Sequence, residues 1–304
     1  MKQFHRIGLV LVIALLHGEG RAFELSSEAI SYDFTDNHSE KSQDTTTDNL
    51  ASQENPLEIF NGMKKKVKVF SEDSSVAKRR AANHRFVQDM VRLVKSGKSW
   101  DMPWSELSPV SVLMTPDQKW RILTWSVLLE QNSRRHYGCV LGQKGNFYPL
   151  IDQLANRFEN DEIFDNRHWP GAVYFQILPI TPTHNNKICY ALLGYDAREP
   201  FAQRKVLDWL CPDLEEGMVH IGAPLIDYAG RSLSRWQLLY PRDVQVQFQW
   251  DKDRSLVYFD HLISRGSDPS TETFDFIPDG SFDALVWRNR RLVFEEMPMY
   301  QPLK

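Results

Sequence analysis

Val244-Gln245-Val246-Gln247-Phe248-Gln249-Trp250 is the stretch whose reading decides the fold. Its apolar residues alternate with glutamines, and only a pleated strand turns a period of two into one dry and one wet face. Asp251-Lys252-Asp253-Arg254 interrupts the run and Leu256 to Ile263 resumes it, so the segment reads as a β-hairpin. An antiparallel sheet follows, with one face on a core and the glutamine-lined face in water.

The same grammar extends upstream. Val110 to Met114 runs into the turn Thr115-Pro116-Asp117-Gln118, and Lys119 to Leu129 emerges as a long strand. Further strands are expected over 135–141, 147–150, 172–180, 187–195, 204–211, 219–225, 235–240, 282–287 and 292–294, with turn signals such as Gly145-Asn146, Asn185-Asn186 and Asp279-Gly280 between runs. Residues 204–211 also suit a helical face, and residues 153–165 read as a short helix. Only one helix is clear: Ser74 or Ser75 offers an N-cap, Val76, Phe86, Val87, Met90, Val91 and Val94 follow at helical spacing, and Gly97 ends the run. No glycine-rich nucleotide loop, helix–strand alternation or blade-length repeat is present. The expected architecture is therefore mainly β, an antiparallel meander (sandwich, curved sheet or propeller-like) over residues 104–297, preceded by one amphipathic helix at 74–98.

The N-terminus has the tripartite pattern of a secretory signal. Lys2, His5 and Arg6 precede the apolar run 7–16, and Gly20-Arg21-Ala22 supplies small residues for cleavage after Ala22. Glu19 and Arg21 interrupt the run before it reaches the roughly 20 apolar residues of a membrane span, so no transmembrane span is expected after cleavage. Residues 23–73 then read as a largely disordered leader, because 26–55 is dominated by Ser, Thr, Asp, Asn, Gln and Glu. The run Lys64-Lys65-Lys66-Val67-Lys68 reads as a solvated charge run.

With 304 residues, 42% hydrophobic, the chain can bury a substantial core. Its formal charge is -4, and residues 1–22 contribute Lys2, Arg6 and Arg21 against Glu19, a net of +2, which leaves the remainder near -6. Such a balance gives no pull toward nucleic acid.

Three cysteines are present. If residues 187–195 and 204–211 form a hairpin centred on Pro200, Cys189 and Cys211 fall opposite one another, within reach of a cross-strand disulfide that an exported compartment permits. Cys139 reads as an unpaired buried thiol.

Four stretches taken together carry a resemblance: 115–125 (TPDQKWRILTW), 190–196 (YALLGYD), 259–262 (FDHL) and 277–283 (IPDGSFD). In this order they resemble a family of uncharacterised exported proteins of Gram-negative bacteria, in which a proline-aspartate turn feeds an arginine-bearing strand ending in Trp. The resemblance covers about 104–294 and implies export and a β-rich body, with no reaction attached. The chain departs from the family at Tyr195-Asp196-Ala197-Arg198, where the family has Trp-Asp-Gly-Asn.

Chemistry-bearing residues are scattered. Asp260 and His261 are adjacent on a strand and point to opposite faces, so each needs a distant partner. Asp275, Asp279 and Asp283 lack the alternation of a calcium loop. No histidine pair has zinc-ligand spacing, and no Gly-x-Ser-x-Gly elbow occurs; no metal and no cofactor are expected. The tryptophans 104, 120, 125, 209, 236 and 287 are read mainly as core, with a carbohydrate-stacking platform as the alternative. Two functions follow. The first is a non-enzymatic periplasmic or extracellular protein that binds an envelope component or glycan or plays a structural part in the envelope. The alternative is a periplasmic hydrolase whose carboxylates and His261 converge, and that requires the candidate polar residues Arg121, Asp196, Asp260, His261 and Asp279 to share one pocket.

Overall fold

The computed structural model describes residues 55–153, 159–264 and 276–297. The expected signal segment, the leader up to residue 54, Asp275 and residues 154–158 lie outside them; the helix expected at 153–165 does not form over its described part, where 159–163 are turn and loop and Phe164–Asp165 is a short strand.

The first element departs from the sequence reading. Asn55 caps a helix, α1 (Pro56–Glu72), by accepting from the Leu57 N–H at 3.0 Å, and Pro56 opens its first turn. The leader therefore ends before residue 56. The four lysines at 64–66 and 68 obscured a stripe of Ile59, Phe60, Met63, Val67 and Phe70, all buried. The expected helix is α2 (Val76–Lys95), capped by Ser75 and ended by Gly97 at φ +70°. Phe70 meets Phe86 edge-on at 5.4 Å, and Phe86 meets Trp125 at 5.2 Å, so the helix pair is packed onto the first sheet.

That sheet has the order β1 (Ser111–Met114), β2 (Trp120–Leu128), β3 (Arg134–Gly142) and β4 (Phe147–Leu150), antiparallel throughout. Side-chain alternation splits it: Leu123, Trp125, Val127, Cys139 and Leu141 face the helices, while Trp120, Ile122, Val140, Tyr148 and Leu150 face a second sheet.

The second sheet contains β5 (Phe164–Asp165) and β6 (Val173–Ile177). A two-residue hairpin of β7 (Thr183–His184) and β8 (Lys187–Ile188) then leads to β9 (Tyr190–Asp196), β10 (Ala202–Asp213) and β11 (Met218–Ile221). The long β10 is its hub, pairing with β9, β11 and β14 (Trp236–Pro241). Residues 204–211 are thus strand and not helix. In this sheet Tyr190, Leu192, Val206 and Leu210 face the first sheet, whereas Ala191, Leu193, Leu207 and Trp209 face a third.

The third sheet is β13 (Arg231–Leu233), β12 (Ile226–Tyr228), β18 (Arg291–Met297), β17 (Phe276–Arg288), β16 (Leu256–Ser264) and β15 (Phe248–Asp251), in that order. Only the β12–β18 pair is parallel among the described residues; Asp152 and Trp169 form an isolated parallel bridge. The hairpin expected from the glutamine alternation is β15–β16, with Phe248 opposite Phe259, but its first strand begins only at Phe248 and residues 244–247 lead into it without strand pairing; Gln245, Gln247 and Gln249 are all exposed. The short strands β5, β7, β12 and β13 have too few residues to show a period. The fold is mainly β: three stacked sheets with a helix pair over one outer face.

One expected turn is something else. Asp279-Gly280-Ser281 lies inside β17, where the register to β16 slips between Asp260 and Leu262. Gly280, at φ +93°, lets the chain bulge and rejoin its partner. His261 sits opposite this bulge.

Candidate functional site

The five candidate polar residues fall on three different sheets. Arg121, on β2, donates to the carbonyls of Trp100 at 2.9 Å and Met102 at 3.4 Å, and its guanidinium lies 4.8 Å from the Trp100 ring centroid. It fastens the segment after α2 to the first sheet.

Asp196, at the end of β9, is the centre of a buried charge cluster between the first and second sheets. Its Oδ1 lies 2.8 Å from His136 Nε2 and 3.0 Å from the Arg198 backbone N; its Oδ2 lies 2.9 Å from Arg198 Nε and 3.1 Å from Arg204 Nη1. Burial pushes this carboxyl upward, but the His136 hydrogen bond, then the His136 and Arg198 charges, hold it well below the usual carboxylate range. An ionised carboxylate only accepts, so His136 donates through Nε2. Its Nδ1 is enclosed with no hydrogen-bond partner. Asp152 accepts from the His136 backbone N at 2.9 Å and from Arg198 Nη1 at 3.3 Å, and Arg198 Nη2 also donates to the Pro170 carbonyl. Gly171, at φ +84°, is required here: a Cβ would stand 2.5 Å from Arg198 Nη2 and 2.9 Å from Asp152 Oδ1.

The remaining three residues lie on β16 and β17. Asp260 accepts from the Gln247 N–H at 2.6 Å, and burial raises its pKa. His261 Nδ1 lies 2.8 Å from Asp283 Oδ2; that hydrogen bond, aided by the charges of Asp283, Asp279 and Glu296, raises the imidazole pKa against its partial burial. Asp279 accepts from Ser281 N at 2.8 Å and Oγ at 2.7 Å, which lowers its pKa. No common pocket forms from these five. The hydrolase alternative required one.

The other expectation from the cysteines concerns β9–β10. The register pairs Arg204 with Asp196 through Leu210 with Tyr190, which is a hairpin centred on residue 200. Cys189 and Cys211 are joined in a disulfide with a Cα–Cα distance of 4.3 Å, and Cys139 is free and buried.

The four motif stretches meet in pairs. Tyr190 Oη donates to Asp117 Oδ2 at 2.9 Å, joining the first stretch to the second, and the third and fourth are register neighbours, Phe259 opposite Asp283.

Sequence reasoning missed His136, Asp152 and Arg204, and also a second buried cluster. There Tyr174 Oη donates to Asp208 Oδ2 at 2.8 Å, and Arg235 Nη2 lies 3.0 Å from Asp208 Oδ1. The one signal was a charge placed on the buried parity of an apolar strand, as at Asp208.

A cavity of about 450 Å³ opens elsewhere, beside β12–β14. Tyr228, Leu233 and Trp236 form its apolar part; Glu159, Asn160, Asp161 and Arg231 form its polar part. Tyr228 is 39% exposed. Trp236 stacks on Phe294 with centroids 5.4 Å apart, and Tyr228 meets the same Phe294 ring edge-on at 5.0 Å. The polar wall is anchored: the backbone N–H groups of Ser234 and Arg235 donate to the Asn160 carbonyl, Ser234 Oγ donates to the Asp161 carbonyl, and Gln237 Nε2 donates to Asn160 Oδ1. None of the five candidate polar residues lines it, and of the tryptophans considered as stacking platforms only Trp236 does.

The described residues make a β-rich protein of three stacked sheets, with buried charge clusters around Asp196 and Asp208 and a mixed aromatic and polar cavity. No protein-family model, curated protein or solved structure matches the chain.

Proposed function

We propose that this is an exported, non-enzymatic protein of the bacterial cell envelope that binds a hydroxyl-rich ligand, the saccharide part of an envelope glycan, in the cavity beside β12–β14. The composition of that cavity carries the reading. An exposed Tyr228 ring offers a face for sugar C–H groups, and Asp161, Glu159, Asn160 and Arg231 offer acceptors and donors for hydroxyls. Its volume falls within the roughly 300–1,000 Å³ of small-molecule sites. Export is supported by the N-terminal pattern and by the Cys189–Cys211 disulfide, which persists in oxidising compartments. No helix among the described residues is long and apolar enough to cross a membrane.

The test is calorimetric titration of the purified chain with defined envelope glycan fragments. Saccharide binding weakened about tenfold or more by Tyr228→Ala, measured at a temperature where the variant remains folded, is the expected result; a loss of about 1.4 kcal/mol corresponds to that factor. Absence of binding across the fragments, or binding indifferent to Tyr228→Ala and Asp161→Asn, rejects the reading.

A further inference from the structure

The hairpin β10–β11 carries a further cluster of charged side chains, about which the glycan reading says nothing. Cys211 is followed two residues later by Asp213, and Cys189 is preceded two residues earlier by Lys187, so the Lys187–Asp213 ion pair sits beside the disulfide that locks these two segments together. Asp213 is 2% exposed. Its Oδ1 accepts from the backbone N–H groups of Glu215 at 3.0 Å and Glu216 at 3.1 Å, which folds the turn and points Glu216 back across the hairpin. From β11, His220 Nε2 then lies 3.2 Å from Glu216 Oε2 and 3.6 Å from Asp213 Oδ2. The Lys187 hydrogen bond, with those two backbone N–H groups, holds the Asp213 carboxyl down to about 2.

The spacing of these donors has a chemical meaning. One ligand atom from each of Asp213, Glu216 and His220 lies within 4.8 Å of the other two. Metal–ligand bonds of about 2.0–2.2 Å in tetrahedral geometry require donors roughly 3.3–3.6 Å apart, and the two His220 separations of 3.2 and 3.6 Å are close to that edge. One imidazole with two carboxylates suits a borderline transition metal and disfavours calcium and magnesium, which prefer all-oxygen sets. Lys187 is the cation now paired with Asp213, and its flexible ammonium, on a 27%-exposed side chain, is the group a metal ion would displace.

We propose that Asp213, Glu216 and His220 form a binding site for one divalent transition-metal ion of the zinc type, with the Lys187 ammonium as the competing cation. The sequence hid this site because its donors come from both sides of a turn and lack a His-x-x-x-His signature. The alternative is a plain set of hairpin ion pairs, with Lys187 as the permanent partner of Asp213.

The two alternatives predict opposite effects for one substitution. The full chain, stripped with chelator, is titrated with Zn²⁺ alone and with Co²⁺ alone, following the thermal midpoint and the visible absorption of tetrahedral cobalt. The site predicts a rise in midpoint, a cobalt band, and no response to Ca²⁺. His220→Ala weakens zinc binding by at least about tenfold, the size of loss that even outer-shell changes cause. Lys187→Met tightens it, because the rival cation is gone. No cobalt band, zinc affinity unchanged in His220→Ala, or weaker binding in Lys187→Met would each overturn the proposal. The Lys187→Met arm keeps the test decisive if His220→Ala folds poorly.

Discussion

The two interfaces on either side of the second sheet are built in opposite ways. Against the first sheet, that sheet presents Asp196 and Asp208 among its apolar residues: His136 reaches Asp196 and Asp152 reaches Arg198 from the first sheet's side, while Arg198 and Arg204 pair with Asp196 and Arg235 with Asp208 from the second sheet's own side. Against the third sheet it presents Leu193, Leu207, Trp209 and the disulfide, a layer of aromatic and aliphatic packing. There the buried indole N–H groups of Trp209, Trp236 and Trp250 have no hydrogen-bond partner. Apolar contact is non-directional and tolerates sliding, whereas an ion pair with several fixed donors does not. The charged interface therefore specifies how the sheets are aligned, and the aromatic one supplies burial with little positional demand.

The largest effect is expected where that specification is broken. Asp196→Ala leaves Arg198 and Arg204 buried beside a lost carboxylate, and chemical denaturation should show a loss of about 3–5 kcal/mol, the cost of breaking a buried pair from one side. A loss below about 1 kcal/mol would mean that the arginines rearrange into solvent and the cluster specifies nothing.

An intermediate effect compares the same substitution on both sides. Trp169 Nε1 donates to Tyr174 Oη at 3.1 Å, while Trp209 Nε1 has no partner, and both rings are fully buried. Trp169→Phe removes one of the two hydrogen bonds at Tyr174 Oη, which still donates to Asp208, and Trp209→Phe relieves an unsatisfied donor, so the first should cost about 1 kcal/mol more than the second. Equal losses would erase the contrast between the interfaces.

The smallest expected effect lies at the margin of the aromatic layer, at His261. Its folded pKa is raised by the Asp283 hydrogen bond, so its contribution to stability is complete below the unfolded value near 6.5 and disappears as pH rises through the folded value. Asp283 is raised by burial and acts in the same sense at lower pH. Because His184, whose pKa is lowered by burial, acts in the opposite sense over the same range, the readout is a difference: the excess of the native chain's denaturation midpoint over that of His261→Asn should shrink as pH rises from about 5.5 to about 8.5.

Much of the body was legible in advance. The alternation at 244–250, the turn at 115–118 and most of the long strands follow from side-chain period, and the disulfide follows from a hairpin centre placed at Pro200. The reading lapsed where pattern was masked or too short. Lysines 64–66 and 68 hid the buried stripe of α1, and β12 and β13, which wall the cavity, have three residues each. The candidate polar residues were picked singly for their chemistry, and the sheets that separate Arg121, Asp196 and His261 cannot be read from strand period.

The sequence by itself determined which residues pair within a hairpin and which side of each strand is dry, because both are local consequences of pleating and turn chemistry. Only tertiary structure decided which distant charges meet. His136 and Asp196 lie 60 positions apart, and Asn160 meets Gln237 across 77. Contacts at such separations depend on the order and stacking of whole sheets, for which the period of a single strand carries no information.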